Sequence, residues 1–187
     1  MCRARISFIL IILIICLAST AAYAGDFTLS SPTIQSGAFL TEEQVFNGFG
    51  CSGGNQSPAL RWSASPKGTK SFAITVYDPD APTGSGWWHW IVYNIPANVS
   101  EIPTGAGDPS GQLLPPGAVQ GRTDYGTHAF GGACPPQGDK PHRYIFTVYA
   151  LKIEKIEVPP DSSAALIGFM INANSLDKAS FTARYGR

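Results

Sequence analysis

Three stretches of near-continuous apolar residues dominate the chain: Ser71 to Tyr77 (SFAITVY), His89 to Ile95 (HWIVYNI) and Tyr144 to Leu151 (YIFTVYAL). Each is rich in β-branched and aromatic side chains and is bounded by Pro, Gly or Asp, which predicts a strand. Both alternating sets of positions are apolar, so burial on both faces follows and the three strands belong in the middle of a sheet. Phe27 to Leu29 and Phe39-Leu40 predict shorter strands. Helix is scarce. Pro159-Pro160-Asp161 is a start signal with Asp161 as N-cap, and Ser162 to Ile171 predicts one amphipathic helix. Residues 47–58 and 101–136 are irregular and hold many of the glycines and prolines. A loop of about 35 residues is functional or disordered in most folds, and the aromatic residues and Cys134 inside this one favour an ordered loop. The fold class is mainly β: a sandwich with one or two short C-terminal helices.

The first 24 residues fall outside this pattern. Arg3 and Arg5 precede an apolar run from Ile6 to Leu17, and Ala22-Tyr23-Ala24 follows. That order predicts a cleavable secretory signal over residues 1–24, cut before Gly25, and one domain over residues 25–187. An apolar run of about 12 residues is short of the roughly 20 needed to span a bilayer, so the mature chain is expected to have no transmembrane segment. Ile15 before Cys16 is too bulky for the small residue that lipoprotein processing prefers. The expected location is periplasmic or secreted, in a Gram-negative bacterium.

Composition then narrows the partners. With Arg3 and Arg5 removed from 13 basic side chains, against 13 acidic ones, the mature charge is −2. Without a basic run, nucleic acid is not an expected partner. Charged residues make up 14% of the chain, against 20 glycines and 15 prolines, which suits an ordered, loop-rich β domain. Cleavage leaves Cys51 and Cys134 as an even pair in an oxidising compartment, and a disulfide between them is expected. It would close a loop of roughly 80 residues and contribute about 4 kcal/mol in the chain-entropy model. Neither cysteine has a second one nearby, so no zinc site, other metal or cofactor is expected.

Three clusters carry candidate chemistry. In Asp78-Pro79-Asp80-Ala81-Pro82 the prolines fix φ and hold two carboxylates in a rigid corner at a strand end. A plain turn with Asp side chains on backbone amides accounts for the same residues. In Trp87-Trp88-His89-Trp90, alternation sends Trp88 and Trp90 to one face, and Trp87 and His89 to the other with Ile91 and Tyr93. A buried histidine there needs a partner, and the upstream carboxylates offer one. The third cluster is Gly131-Gly132-Ala133-Cys134-Pro135-Pro136, followed by His142-Arg143-Tyr144. Its glycine amides can form an anion-accepting concavity and its prolines a stiff wall. His142 and Tyr144 share a face, while Arg143 turns away to pair with Asp78 or Asp80. No Gly-Lys-Ser/Thr follows the glycines, which excludes a P-loop.

Taken in order, "FNGFGCSGGNQSPALRW", "YDPDAP", "WWHWIVYNIP" and "GGACPP...KPHRYIFTVYAL" resemble the phosphatidylethanolamine-binding proteins, especially their bacterial Raf-kinase-inhibitor-like branch. The resemblance runs from about Phe27 to the end of the sequence. It implies a large central antiparallel sheet, a smaller flanking sheet and short helices. It also implies a small pocket for phosphate-type anions or the phosphorylethanolamine headgroup, lined by Asp78, Pro82, His89, Gly132, Pro135, Pro136, His142 and Tyr144. Asp80 and Arg143 would support it. Eukaryotic members bring a tyrosine to the rim from a longer loop before the histidine strand. Here that loop is only Thr83 to Gly86, so the contact is expected to be missing and the mouth wider.

The expected function is therefore binding of a small anionic or zwitterionic phospho-ligand, with a modulatory role resembling kinase or protein inhibition. Protonation of His89 and His142 beside carboxylates would offset the negative charge of Asp78 and Asp80 and strengthen binding as pH falls from 8 to 6. One alternative is a hydrolase or lyase using the Asp/His pocket. No activated nucleophile accompanies it, since Ser85 is a loop serine and no Gly-x-Ser-x-Gly is present. Another is a protease-inhibitor-like protein acting through its loops. A homodimer is compatible with the sequence.

Overall fold

The computed structural model describes residues 26–187, and the signal segment expected over residues 1–24 lies outside them. Ten strands, one α-helix and a 3-10 turn at Glu42–Gln44 follow in order. The strands are β1 (Thr28–Ser30), β2 (Asn47–Gly48), β3 (Cys51–Ser52), β4 (Leu60–Ser63), β5 (Ser71–Asp78), β6 (Trp87–Pro96), β7 (Glu101–Ile102), β8 (Val119–Gln120), β9 (His142–Leu151) and β10 (Ser175–Tyr185). The helix, α1, covers Ala164–Asn174.

A five-stranded antiparallel sheet in the order β10-β9-β5-β6-β8 forms the body, and β1-β4-β7 make a smaller sheet. The three strands expected from apolar runs are its three inner members. Leu60, Trp62, Ile102 and Leu29 of the small sheet pack with Phe72, Ile74, Val76, Trp90, Val92, Phe146 and Val148 of the large one. On the opposite face Ile167 and Ile171 of α1 pack with Ala73, Ile91, Tyr93 and Leu151. Sheet covers one side and helix the other, which is why β5 is buried along nearly its whole length.

Three expectations need correction. Phe39-Leu40 is not a strand: Phe39 makes a single bridge to Arg184, Leu40 is buried and Phe39 is exposed. The helix begins later than expected, capped by the Ser163 side chain, which accepts from the Leu166 amide, and not by Asp161. Ser162 closes a turn onto the Pro159 carbonyl with both its amide and its hydroxyl, and this delays the start. The outer side of α1 is not polar either, since Leu166 and Phe169 are exposed there.

The edge strand β10 was not foreseen. It alternates small or aromatic inward residues (Ala179, Phe181, Ala183) with polar outward ones and pairs with β9 over its full length. Its hydrophobic signal is weak because two of its three buried residues are alanines.

Antiparallel order brings three distant chain positions to one end of the large sheet. β5 ends there at Asp78, β6 begins there at Trp87, and β9 begins there at His142. Cys51 and Cys134 are joined by a disulfide, with Cα atoms 6.0 Å apart, that ties the β2–β3 hairpin to the Gly131–Pro136 segment at this end. The Arg187 guanidinium reinforces the tie, donating from Nε to the Pro135 carbonyl (2.7 Å) and from Nη1 to the Gly50 carbonyl (2.9 Å).

Candidate functional site

The sheet end holds a cavity of about 160 Å³ lined by residues from every candidate cluster, including Asp78, Pro82, His89, Pro136, His142 and Tyr144. Pro135 and the disulfide half Cys134 complete one wall.

Asp78 closes the turn and holds a histidine, but that histidine is His142 and not His89, the residue expected to take an upstream carboxylate. Its Oδ1 accepts the amides of Asp80 (2.8 Å) and Ala81 (3.1 Å), closing the proline corner as a side-chain turn. Its Oδ2 lies 2.7 Å from His142 Nδ1, with both side chains almost wholly buried. His142 Nδ1–H therefore donates to the carboxylate, and Nε2 faces Asp139 Oδ2 at 3.4 Å.

Asp80, two residues on, points outward. Arg143 donates to it from Nε (2.8 Å), Nη2 (2.7 Å) and its own amide (2.9 Å). Of the two carboxylates open to Arg143, Asp80 is the one it takes. That forked guanidinium holds the Asp80 carboxyl down at about 2.

His89 reaches the cavity through a backbone irregularity. Val76 pairs with Trp90 and Tyr77 with Trp88, so His89 is an extra residue, a β-bulge. The bulge breaks the alternation expected for this strand. Trp88 packs with Ile91 and Tyr93 on the helix side, while Trp90 joins the sheet–sheet core. His89 does not point where Ile91 and Tyr93 point. It lies against the Tyr144 ring at 5.0 Å and the Tyr125 ring at 5.5 Å.

The protonation of His89 also differs from expectation. Its Nδ1 donates to the Gly131 carbonyl at 2.8 Å, so Nε2 carries the lone pair. Burial pushes its pKa below the ordinary histidine value; the Gly131 carbonyl and the charge of Asp78 oppose this without overcoming it. Burial, reinforced by Asp78, pushes the Tyr144 hydroxyl up, so it stays protonated.

Gly132 stands behind the wall and does not line the cavity. Its amide donates to Asn55 Oδ1 (2.7 Å), its carbonyl accepts from the Tyr125 hydroxyl (2.8 Å), and the Gly131 and Ala133 amides bond His89 and Gln44 carbonyls. These amides are therefore not open to an anion. Glycine is needed at 132 because a Cβ would meet the Gln44 carbonyl oxygen at 2.3 Å.

Sequence reasoning missed Phe49, Ala81, Thr83, Trp87, Tyr125 and Cys134 as lining residues. The short Thr83–Gly86 loop folds back, with the Tyr77 hydroxyl donating to the Ser85 carbonyl (2.7 Å). Tyr125 packs with Phe46 and Phe49 in a three-ring cluster and brings a tyrosine to the cavity lining from the long loop.

Trp87 Nε1, His89 Nε2 and Tyr144 Oη are buried without a hydrogen-bond partner, and all three residues line this one cavity. Most of the remaining wall is proline and aromatic carbon. No cluster of three or more His, Cys, Asp or Glu side chains suited to a metal occurs among the described residues.

The Asp–His pair and the proline wall enclose one small cavity at this end of the large sheet. The family model described as phosphatidylethanolamine-binding protein matches residues 30–186, and the chain belongs to that family. Within it, the chain is 60% identical to the UPF0098 protein YbcL of Escherichia coli over 165 residues, covering 88% of this chain and 90% of YbcL. It is 51% identical to the UPF0098 protein YbhB of the same organism, covering 84% of this chain and 98% of YbhB. The crystal structure of E. coli YbcL, described as a new member of the mammalian PEBP family, superposes with a TM-score of 0.85 over 87% of this chain and 99% of that one. A phosphatidylethanolamine-binding protein from Plasmodium vivax, 16% identical with a TM-score of 0.52, shares the fold.

Proposed function

We propose that the protein is an extracytoplasmic binding protein whose cavity takes a small phospho-ligand, an oxyanion or phosphorylethanolamine-like headgroup. Three unpartnered buried polar atoms converging on one cavity carry this reading. An orphaned buried donor or acceptor costs about 1–3 kcal/mol, so a ligand that pairs all three is favoured by relieving that cost. Asp78, Pro82, His89, Pro135, Pro136, His142 and Tyr144 are the proposed ligand-binding residues. Asp80 and Arg143 hold the corner, and Gly132 supports it from behind. The signal-like residues 1–24 and the disulfide support the location outside the cytoplasm.

The wall favours binding over covalent catalysis. Cys134 is in the disulfide, and the Thr83 hydroxyl is bonded to the Gly86 carbonyl. A modulatory role toward a protein partner is the second reading, favoured by Phe49, which is 69% exposed at the cavity rim.

Titration calorimetry with phosphorylethanolamine tests the first reading. The wild-type protein is expected to bind it and His89→Ala/His142→Ala to lose binding. A folded double variant that binds as tightly as wild type would move the site elsewhere.

A further inference from the structure

The donors and acceptors of the cavity are arranged to define its ligand more closely than charge does, given the anion-binding reading above. Trp87 Nε1–H can only donate, and Tyr144, kept protonated by burial, donates as well. His89 is the opposite case: its Nδ1–H is committed to the Gly131 carbonyl, so the unpartnered Nε2 is an acceptor. The wall has no Lys or Arg, and Arg143 is engaged by Asp80 outside it. Asp78 is already satisfied by two amides and His142, and adds negative charge.

A fully ionised phosphate or a sulfate would set its lone pairs against the lone pair of His89. It would also bring its charge toward Asp78 with no guanidinium or ammonium to offset it. An oxyacid that keeps one proton meets all three atoms: acceptor oxygens for Trp87 and Tyr144, and an O–H for His89.

We propose that the cavity selects a singly protonated oxyacid, such as the monoanion of a phosphate monoester, by accepting its O–H at His89 Nε2. Diesters and sulfates, which have no such proton, are discriminated against.

The groups facing His89 are Asp78 from β5, His142 and Tyr144 from β9, and Asp124, Tyr125 and the Gly131 carbonyl from the long loop. The two carboxylates favour a proton at His89, but burial prevails. The proton in the contact therefore comes with the ligand. Affinity rises as pH falls, and the midpoint follows the second ionisation of the ligand, about 6 for a phosphate monoester, not that of the histidine.

Calorimetry on the wild-type protein between pH 5 and 8 separates the cases, using phosphorylethanolamine, an alkylphosphonate of higher second pKa, dimethyl phosphate and sulfate. Near the acid end phosphorylethanolamine is expected to bind about ten- to a hundred-fold tighter than dimethyl phosphate or sulfate. The midpoint is expected to move upward for the phosphonate. Equal affinity for the proton-free anions, or one midpoint shared by phosphate and phosphonate, overturns the proposal while leaving anion binding intact. Failure of all four to bind overturns the anion-binding reading itself.

Discussion

Two sets of residues around the cavity are built on opposite terms. At the corner, every polar atom of Asp78 is matched: two amides on one oxygen, His142 on the other, with Asp80 and Arg143 locked together behind. Interleaved with that corner, on β6 and β9, Trp87, His89 and Tyr144 each hold a polar atom with no partner. On the proposed function, the first set fixes the shape of the cavity and the second meets the ligand. Residues of the same chemical type differ in role according to whether the fold has already used their hydrogen bonds.

Four experiments test this contrast. Asp78→Ala removes one partner of a buried pair and leaves two amides and His142 unmatched. A loss of about 3–5 kcal/mol in denaturant-unfolding stability is expected. A loss below about 1 kcal/mol would show that the corner is not the structural set.

Replacing the disulfide, as Cys51→Ser/Cys134→Ser, is expected to cost about 2–4 kcal/mol in the same measurement. Ligand affinity should fall with it, because Cys134 and its neighbouring prolines form the wall.

Tyr144→Phe in the second set is expected to do the reverse of Asp78→Ala. Stability stays level or rises by up to about 1 kcal/mol as an unmatched hydroxyl is removed, while phosphorylethanolamine affinity drops about tenfold. Equal loss of stability and affinity would erase the distinction.

The smallest effect is Arg143→Met. This exposed pair contributes under about 1 kcal/mol. Because the folded Asp80 carboxyl is depressed from 3.8 to about 2, its contribution is complete above pH 3.8 and is lost as pH falls toward 2. In the variant that acid limb is expected to disappear, while the binding curve near neutral pH does not change.

Much of this contrast was legible in the sequence, and the exceptions have physical causes. The inner strands announced themselves because burial on both faces demands continuous apolar runs. The proline corner did so because Pro restricts its neighbours whatever surrounds them. The direction of His89 was not legible, since a one-residue bulge reverses the alternation and leaves no mark in composition. Tyr125 and Phe49 reach the cavity lining from loops whose path depends on the disulfide and on aromatic stacking, not on local periodicity. Gly132 was recognised as a place of close approach, but the approaching group is the Gln44–Phe46 backbone and not a ligand. Edge strand β10 escaped notice because alanines facing inward look like neutral spacers.

The clamp formed by Arg187 and the disulfide has a consequence for the order of assembly. It gathers Phe49–Cys51, Cys134–Pro135 and residue 187 around a cavity whose floor needs β5, β6 and β9 already paired. The contacts that close the pocket, Asp78 to His142, His89 to Gly131 and Cys51 to Cys134, span 42 to 83 residues, so no early, locally folded intermediate can contain it. Ligand binding is thus a signal that appears only when the chain has finished folding. A ligand held there stabilises the completed state as a whole, by mass action.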